Sequence, residues 1–310
     1  MMFVVIIALL IVVTIYYIKR VDKCHCKTNL SGKVIFVTGG NRGIGLAVCR
    51  EMVRSGAKVY VASRSLEITA QECEKMNSSR WEGQAIPMKL DLTDVSSIRA
   101  CVSEFQAVES HLDILVNNAG VYLYKQQITS KGNDALLWTN YYGPCLLTSL
   151  LLDLIKSSCD GRIINVTSDV YVFSREPPNH SYFVNNYSAF RGYCCSKRGI
   201  NMFTVSLQKL LNKTNGSAVA VHPGVVDTGI SENWPPVAKM FKPGIKFFLK
   251  SVHDGAQAIN HCAKVKNLKK DSGNYFRGCS SKEIATTPSD VKDAAMLWNQ
   301  TFSYLENLTD

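Results

Sequence analysis

Between Lys33 and Phe276 the sequence alternates short β-branched runs with stretches of helical length, and this alternation limits the fold more than any other feature. Lys33–Val37, Lys58–Ala62, Ala85–Leu90, Leu112–Val116, Arg162–Val166 and Ala218–Val221 read as six strands, with Asn274–Phe276 as a seventh. Gly43–Ser55 reads as the first helix. Strands separated by helices run parallel, joined by right-handed crossovers that cover both faces of the sheet. The expectation is an α/β fold, a doubly wound parallel sheet of about seven strands in one domain over residues 33–290. Residues 291–310 are expected to form a C-terminal tail.

The first eighteen residues, MMFVVIIALLIVVTIYYI, carry no charge. As a helix, Phe3–Ile18 would rise about 24 Å, enough for a slightly thin bilayer with tilt or snorkelling. No positive n-region and no small-residue cleavage site accompany it, so a removable signal peptide is not expected. Tyr16 and Tyr17 stand where an aromatic belt belongs, and Lys19, Arg20, Lys23 and Lys27 follow in a basic linker over 19–32. By the positive-inside rule the remaining chain faces the cytosol. Residues 1–18 are therefore read as a single-pass anchor, in the endoplasmic reticulum first, with the lipid droplet or mitochondrial outer membrane as alternatives. The eleven cysteines are dispersed, as in a reducing compartment. Cys24-His25-Cys26 lacks a second ligand pair, so no metal is expected there, and lipidation of Cys24 or Cys26 is left open. The net charge of +10 comes largely from scattered lysines and arginines, which argues against nucleic acid as a partner.

The first strand ends in Thr38-Gly39-Gly40-Asn41-Arg42-Gly43-Ile44-Gly45. Glycines between a strand and a helix let the backbone approach a pyrophosphate, whose charge then sits on the helix N-terminus, as in a Rossmann-type dinucleotide site. At the end of the second strand an NAD-binder places an acid for the ribose hydroxyl. Here Ser63 and Arg64 stand in that place, with Arg42 in the glycine loop, and guanidinium groups suit the 2′-phosphate of NADPH. Tyr193 and Lys197 are one helical turn apart, so the ammonium is expected to favour the phenolate and bring the phenol towards acid–base work.

Thr38-Gly39-x-x-x-Gly43-x-Gly45, Asp91-Leu92, Asn117-Asn118-Ala119-Gly120, Asn140, Ser168, Tyr193-x-x-Ser196-Lys197 and Pro223-Gly224 occur in that order. Together they resemble the short-chain dehydrogenase/reductase family over about residues 33–290. The anchor, Ala220-Val221-His222-Pro223-Gly224-Val225-Val226, Gly255-Ala256-Gln257 and Ser272-Gly273-x-Tyr275-Phe276 are most similar to its retinol dehydrogenase/retinal reductase branch. The resemblance implies that Ser168 holds the substrate oxygen while Tyr193 donates or accepts the proton. It further implies that Lys197 holds the nicotinamide ribose and that Asn140 supports a relay water. Cofactor contacts would come from Thr38, Gly39, Asn41, Arg42, Gly43, Ile44, Gly45, Ser63 and Arg64. Asp91, Leu92, Asn118, Ala119, Gly120, Pro223, Gly224, Val226 and Thr228 would complete them. The implied activity is NADPH-linked interconversion of a lipophilic aldehyde or ketone and its alcohol, retinal-like first, steroid or lipid aldehyde second. A non-catalytic nucleotide-binding scaffold is the rival. Residues 227–250, with Trp234, Met240 and Phe241 among lysines, would form a substrate lid, either resting on a membrane or packed as an ordinary helix. A homo-oligomer is compatible with this reading. Two departures stand out: a long, proline-containing interval separates Ser168 from Tyr193, and Gly40 replaces the more frequent alanine.

Overall fold

The computed structural model describes residues 23–174, 178, 187–227, 229, 249–284 and 288–308, side chains at 288 and 289 excepted. The anchor read over residues 1–18 and most of the lid lie outside the described residues. Among the described residues, no helix is long and apolar enough to cross a membrane.

The chain folds as β1 (Val34–Thr38), α1 (Gly43–Arg54), β2 (Lys58–Ser63), α2 (Leu66–Asn77), β3 (Gln84–Lys89), α3 (Val95–Gln106) and β4 (Ile114–Asn117). A π-helical turn, Trp138–Tyr142, then leads into α4 (Gly143–Ser157), followed by β5 (Arg162–Val166), α5 (Ala189–Leu211) and β6 (Ser217–His222). The chain ends with α6 (Val252–Lys264), β7 (Asn274–Arg277), β8 (Ser280–Glu283) and α7 (Pro288–Glu306). The sheet order is β3-β2-β1-β4-β5-β6-β7-β8. All neighbours are parallel except β7 and β8.

Alternation along each strand feeds two cores. Val34, Phe36, Leu115 and Ile163 point to the face covered by α3, α4, α5 and α7. Ile35, Val37, Val116 and Ile164 point to the opposite face, under α1, α2 and α6. Each such buried side chain contributes about 1.5–3 kcal/mol. Between the central strands Asn117 Nδ2 donates to Asn165 Oδ1 (2.8 Å) and Thr148 Oγ1 (2.9 Å). Asn165 in turn donates to Thr204 Oγ1 (3.0 Å), so its amide is committed inside the sheet.

Two expectations are corrected. The sheet has eight strands rather than about seven, because Cys279 and its neighbours turn the chain back and Ser280–Glu283 pairs antiparallel with β7. Ser-Ser-Lys-Glu has no apolar alternation and is exposed throughout, so backbone pairing, helped by Lys282 over the Tyr275 ring, makes it a strand. The tail expected from residue 291 is instead most of α7. Ala294, Leu297 and Leu305 bury in the core, and Tyr141 and Thr301 hydroxyls bond at 2.7 Å.

Candidate active site

The strand order reverses between β1 and β4: their chain connections leave in opposite directions, opening a crevice at the carboxyl ends of the strands. A cavity of about 640 Å³ occupies that crevice. At its floor Thr38, the last residue of β1, uses Oγ1 to accept the backbone amides of Asn118 and Ala119, both at 3.0 Å. The Asn118 side chain donates back to the Thr38 carbonyl (2.9 Å) and that of Gly39 (3.3 Å). These bonds tie the glycine turn to the end of β4. Gly39 has φ of 65°, in the left-handed region open to glycine, and a Cβ on Gly45 would overlap the Gly39 carbonyl. The turn thus lies close against the start of α1. No acid stands in the first turn of α1, and the Arg42 side chain does not cap it. Its N-terminal amides therefore present positive charge to the cavity, which suits an anion.

The turn residues Asn41 to Gly45, with Ile44, line one arm of the cavity, and Ser63, Arg64, Asp91 and Leu92 line its end. Ser63 Oγ bonds Thr69 Oγ1 at 2.7 Å, so this hydroxyl also braces α2. Asp91 Oδ1 accepts from the amide (2.9 Å) and hydroxyl (2.8 Å) of Thr93, fixing the turn after β3.

The other arm is built from β5 and α5. Ser188 caps α5 by accepting from the Arg191 amide at 3.4 Å. Helical spacing then sets Tyr193 and Lys197 on one face. The Ser168 hydroxyl, just past β5, stands beside the Tyr193 side chain in the cavity lining, close enough to act on its phenol. Lys197 is 4% exposed; its Nζ donates to the Val166 carbonyl at 3.0 Å and lies 5.6 Å from the Tyr193 ring centroid. Burial pulls the Lys197 ammonium down from 10.5 to about 8. It pushes the Tyr193 phenol up to about 12, with Cys194 adding to the rise and Ser168 opposing it. The expected lowering of the phenol by Lys197 is therefore not found in this structure. The ammonium is engaged by the Val166 carbonyl, and loss of water around the phenol sets the direction of its shift.

Asn140 sits in the π turn rather than on an ordinary helix. It donates to the Val121 carbonyl (2.9 Å) and Ser196 Oγ (3.3 Å), and accepts from the Val121 amide (2.8 Å). It lies behind Gly120, where a Cβ would stand 3.6 Å from Asn140 Oδ1 and 3.5 Å from Lys197 Nζ. Pro223, Gly224 and Val226 line the cavity together with Gly120 and Ala119, whereas Thr228 lies outside the described residues.

The cavity also contains groups to which the sequence analysis gives no role. His222, at the end of β6, is 6% exposed, and its Nε2 is 3.4 Å from Asp169 Oδ2, which Arg277 also meets at 3.4 Å. Burial holds this imidazole down at about 4 despite the carboxylate. Tyr122 packs edge-on to Tyr193 with centroids 5.7 Å apart. Phe190, Val170, Val225 and Leu249 give this arm an apolar lining. The signal for His222 was its place at a strand's carboxyl end; no pattern marked Tyr122 or Phe190.

The assembly of a glycine turn, a paired serine and tyrosine and a buried lysine at one switch point has parallels among known proteins. The short chain dehydrogenase family model matches residues 33–238. Human retinol dehydrogenase 12 is 36% identical over 279 residues, covering 88% of this chain and 87% of that protein. Human retinol dehydrogenase 11 is 34% identical over 276 residues, covering 89% and 86%. A metagenomic short-chain oxidoreductase solved in complex with NADP shares the fold, with a TM-score of 0.58 and 24% identity over 77% of this chain and 93% of that one. Match, identity and topology converge: the chain belongs to the short-chain dehydrogenase family of oxidoreductases.

Proposed function

We propose that the protein is an NADPH-preferring reductase of lipophilic aldehydes or ketones, retinal-like in the first instance, with Tyr193 as the proton donor. The observation that carries this reading is the meeting of the Tyr193 and Ser168 side chains, with Lys197 buried one turn on, in a cavity that continues to the glycine turn. The described residues fit a dinucleotide. Gly39 and Gly45 leave the α1 amides open, and Arg42 and Arg64 suit a 2′-phosphate where Ser63 replaces an acid. When bound, the nicotinamide supplies the hydride equivalent.

The protein's own part is positional and protonic. Ser168 and Tyr193 would both donate to a substrate carbonyl oxygen placed between them, stabilising the charge that develops there. Tyr193 would then pass its proton to that oxygen. A phenol pushed up to about 12 holds its proton at neutral pH, the form a proton donor needs. Lys197 and Asn140, behind Gly120, would stabilise the phenolate and return a proton to it. The retinol dehydrogenases at 36% and 34% identity and the apolar arm around Phe190 and Val170 support a lipophilic substrate. Residues 1–18 would hold this domain on the cytosolic side of a membrane, the endoplasmic reticulum first.

A substrate panel with NADPH and NADH in parallel tests the reading. Turnover of retinal or a medium-chain aldehyde, faster with NADPH, is expected. No turnover of any carbonyl substrate, with NADPH still bound, would leave only a nucleotide-binding scaffold.

A further inference from the structure

The fold brings a third donor to Cys24-His25-Cys26 from 235 residues away. The segment at residues 23–28 lies along α6. Its Cys24 amide donates to Gln257 Oε1 (3.0 Å), and Thr28 Oγ1 donates to the Lys264 carbonyl (2.7 Å). Both thiols are thereby set against the last turns of that helix, where His261 Nδ1 stands 3.7 Å from Cys26 Sγ. The two sulfurs and one ring nitrogen of His261 all lie within 4.8 Å of one another. All three side chains are partly exposed, so an ion can reach them.

We propose that Cys24, Cys26 and His261 bind a divalent ion of the zinc class and clasp the segment that follows the apolar N-terminal run onto α6. Tetrahedral zinc, with bonds of about 2.3 Å to sulfur and 2.0–2.1 Å to nitrogen, spaces neighbouring donors roughly 3.5–3.8 Å apart. The Cys26–His261 edge already has that length. The other edges, at most 4.8 Å, close by up to about 1.3 Å, within reach of side-chain rotation. Two thiolates and an imidazole suit this borderline-soft ion and not magnesium or calcium. Binding displaces one proton from each thiol, forms two sulfur bonds and one nitrogen bond, and changes no oxidation state; the two thiolates balance the ion's charge. A solvent-open groove beside both cysteines, lined also by Arg54, Arg80 and Glu82, leaves a fourth position to water. The same helix backs the cavity, since a Cβ on Gly255 would press on Val226 and Ile44.

The test uses the full-length chain in detergent, reduced, stripped by chelator and titrated with Co(II). About one equivalent should bind with a thiolate-to-cobalt charge-transfer absorption, and Zn(II) should displace it. The double variant Cys24→Ser/Cys26→Ser should lose the band, and His261→Ala should weaken binding by more than about tenfold. Cys159→Ser, an exposed thiol elsewhere, should behave as wild type. A wild-type chain without the band overturns the proposal, whatever the variants' folding. So does a band that survives the double variant, or mass spectrometry of the native chain showing these thiols disulfide-linked or acylated. The readout is independent of catalysis.

Discussion

Burial acts on Lys197 and Tyr193 against their charged forms, and the two consequences are separable by experiment. Lys197 is held at about 8 when folded against an ordinary 10.5. Between those values the unfolded chain binds a proton that the folded chain does not, so stability rises with pH across that window. Below pH 8 both states are protonated and the cost of the buried ammonium is present in full. Lys197→Met should therefore raise the melting temperature at neutral pH, flatten the rise between about pH 8 and 10.5, and abolish turnover. Thermal melts over that range check it; an unchanged slope would place the titration elsewhere. Tyr193→Phe keeps the ring packed against Tyr122 and removes only the hydroxyl. Reductase turnover should fall by about 10²–10⁴-fold with NADPH affinity retained, measured by absorbance and by cofactor fluorescence. His222 gives a further check on the acid side. With its folded value near 4 and an ordinary value of 6.5, stability is lost as pH falls through that interval. His222→Gln should remove part of that loss, although Asp169, Arg277, Lys250 and Lys197 share the field.

At the level of elements, the turn between β1 and α1 is held by space as much as by hydrogen bonds. A Cβ on Gly40 would meet Cys49 Sγ and Val61 Cγ1, each at 2.8 Å. The glycine that departs from the family's frequent alanine is thus required by its own neighbours. Gly40→Ala should cost about 1–3 kcal/mol by overpacking, read as a lowered denaturation midpoint. Gly45→Ala presses harder still, on the Gly39 backbone carbonyl, and should both lower the denaturation midpoint and weaken NADPH binding, read by melts and by titration. These positions were legible because a glycine between a strand and a helix has few other uses. Strands β1 to β7 were legible from apolar runs, and the Tyr193–Lys197 pair from its place in the ordered set of family motifs, since the four-residue spacing alone recurs by chance. What was not legible depended on distant partners. β8 is polar and exposed, and the π turn that aims Asn140 has no periodic mark. The direction of the Tyr193 shift needed the burial that only the fold supplies.

For the whole molecule, the eight-stranded sheet sets its crevice by topology, while the attachment of the chain before β1 decides where the domain can be cut from its N-terminus. Leu30 is 4% exposed in the core under α1 and α6, and Cys24 and Thr28 bond to α6. A deletion through residue 30 therefore damages the domain and cannot isolate the contribution of the apolar run. Deleting residues 1–22 removes the whole uncharged stretch and leaves those contacts in place. If residues 1–18 are the anchor, the full chain should remain in membranes after alkaline carbonate extraction. The truncated chain should move to the supernatant with its NADPH affinity within about twofold of wild type, because the glycine turn, Arg64, Tyr193 and Lys197 all lie in the retained part. Retention of the truncated chain on vesicles would transfer the membrane contact to residues 227–250, whose lysines would then make binding fall steeply with salt.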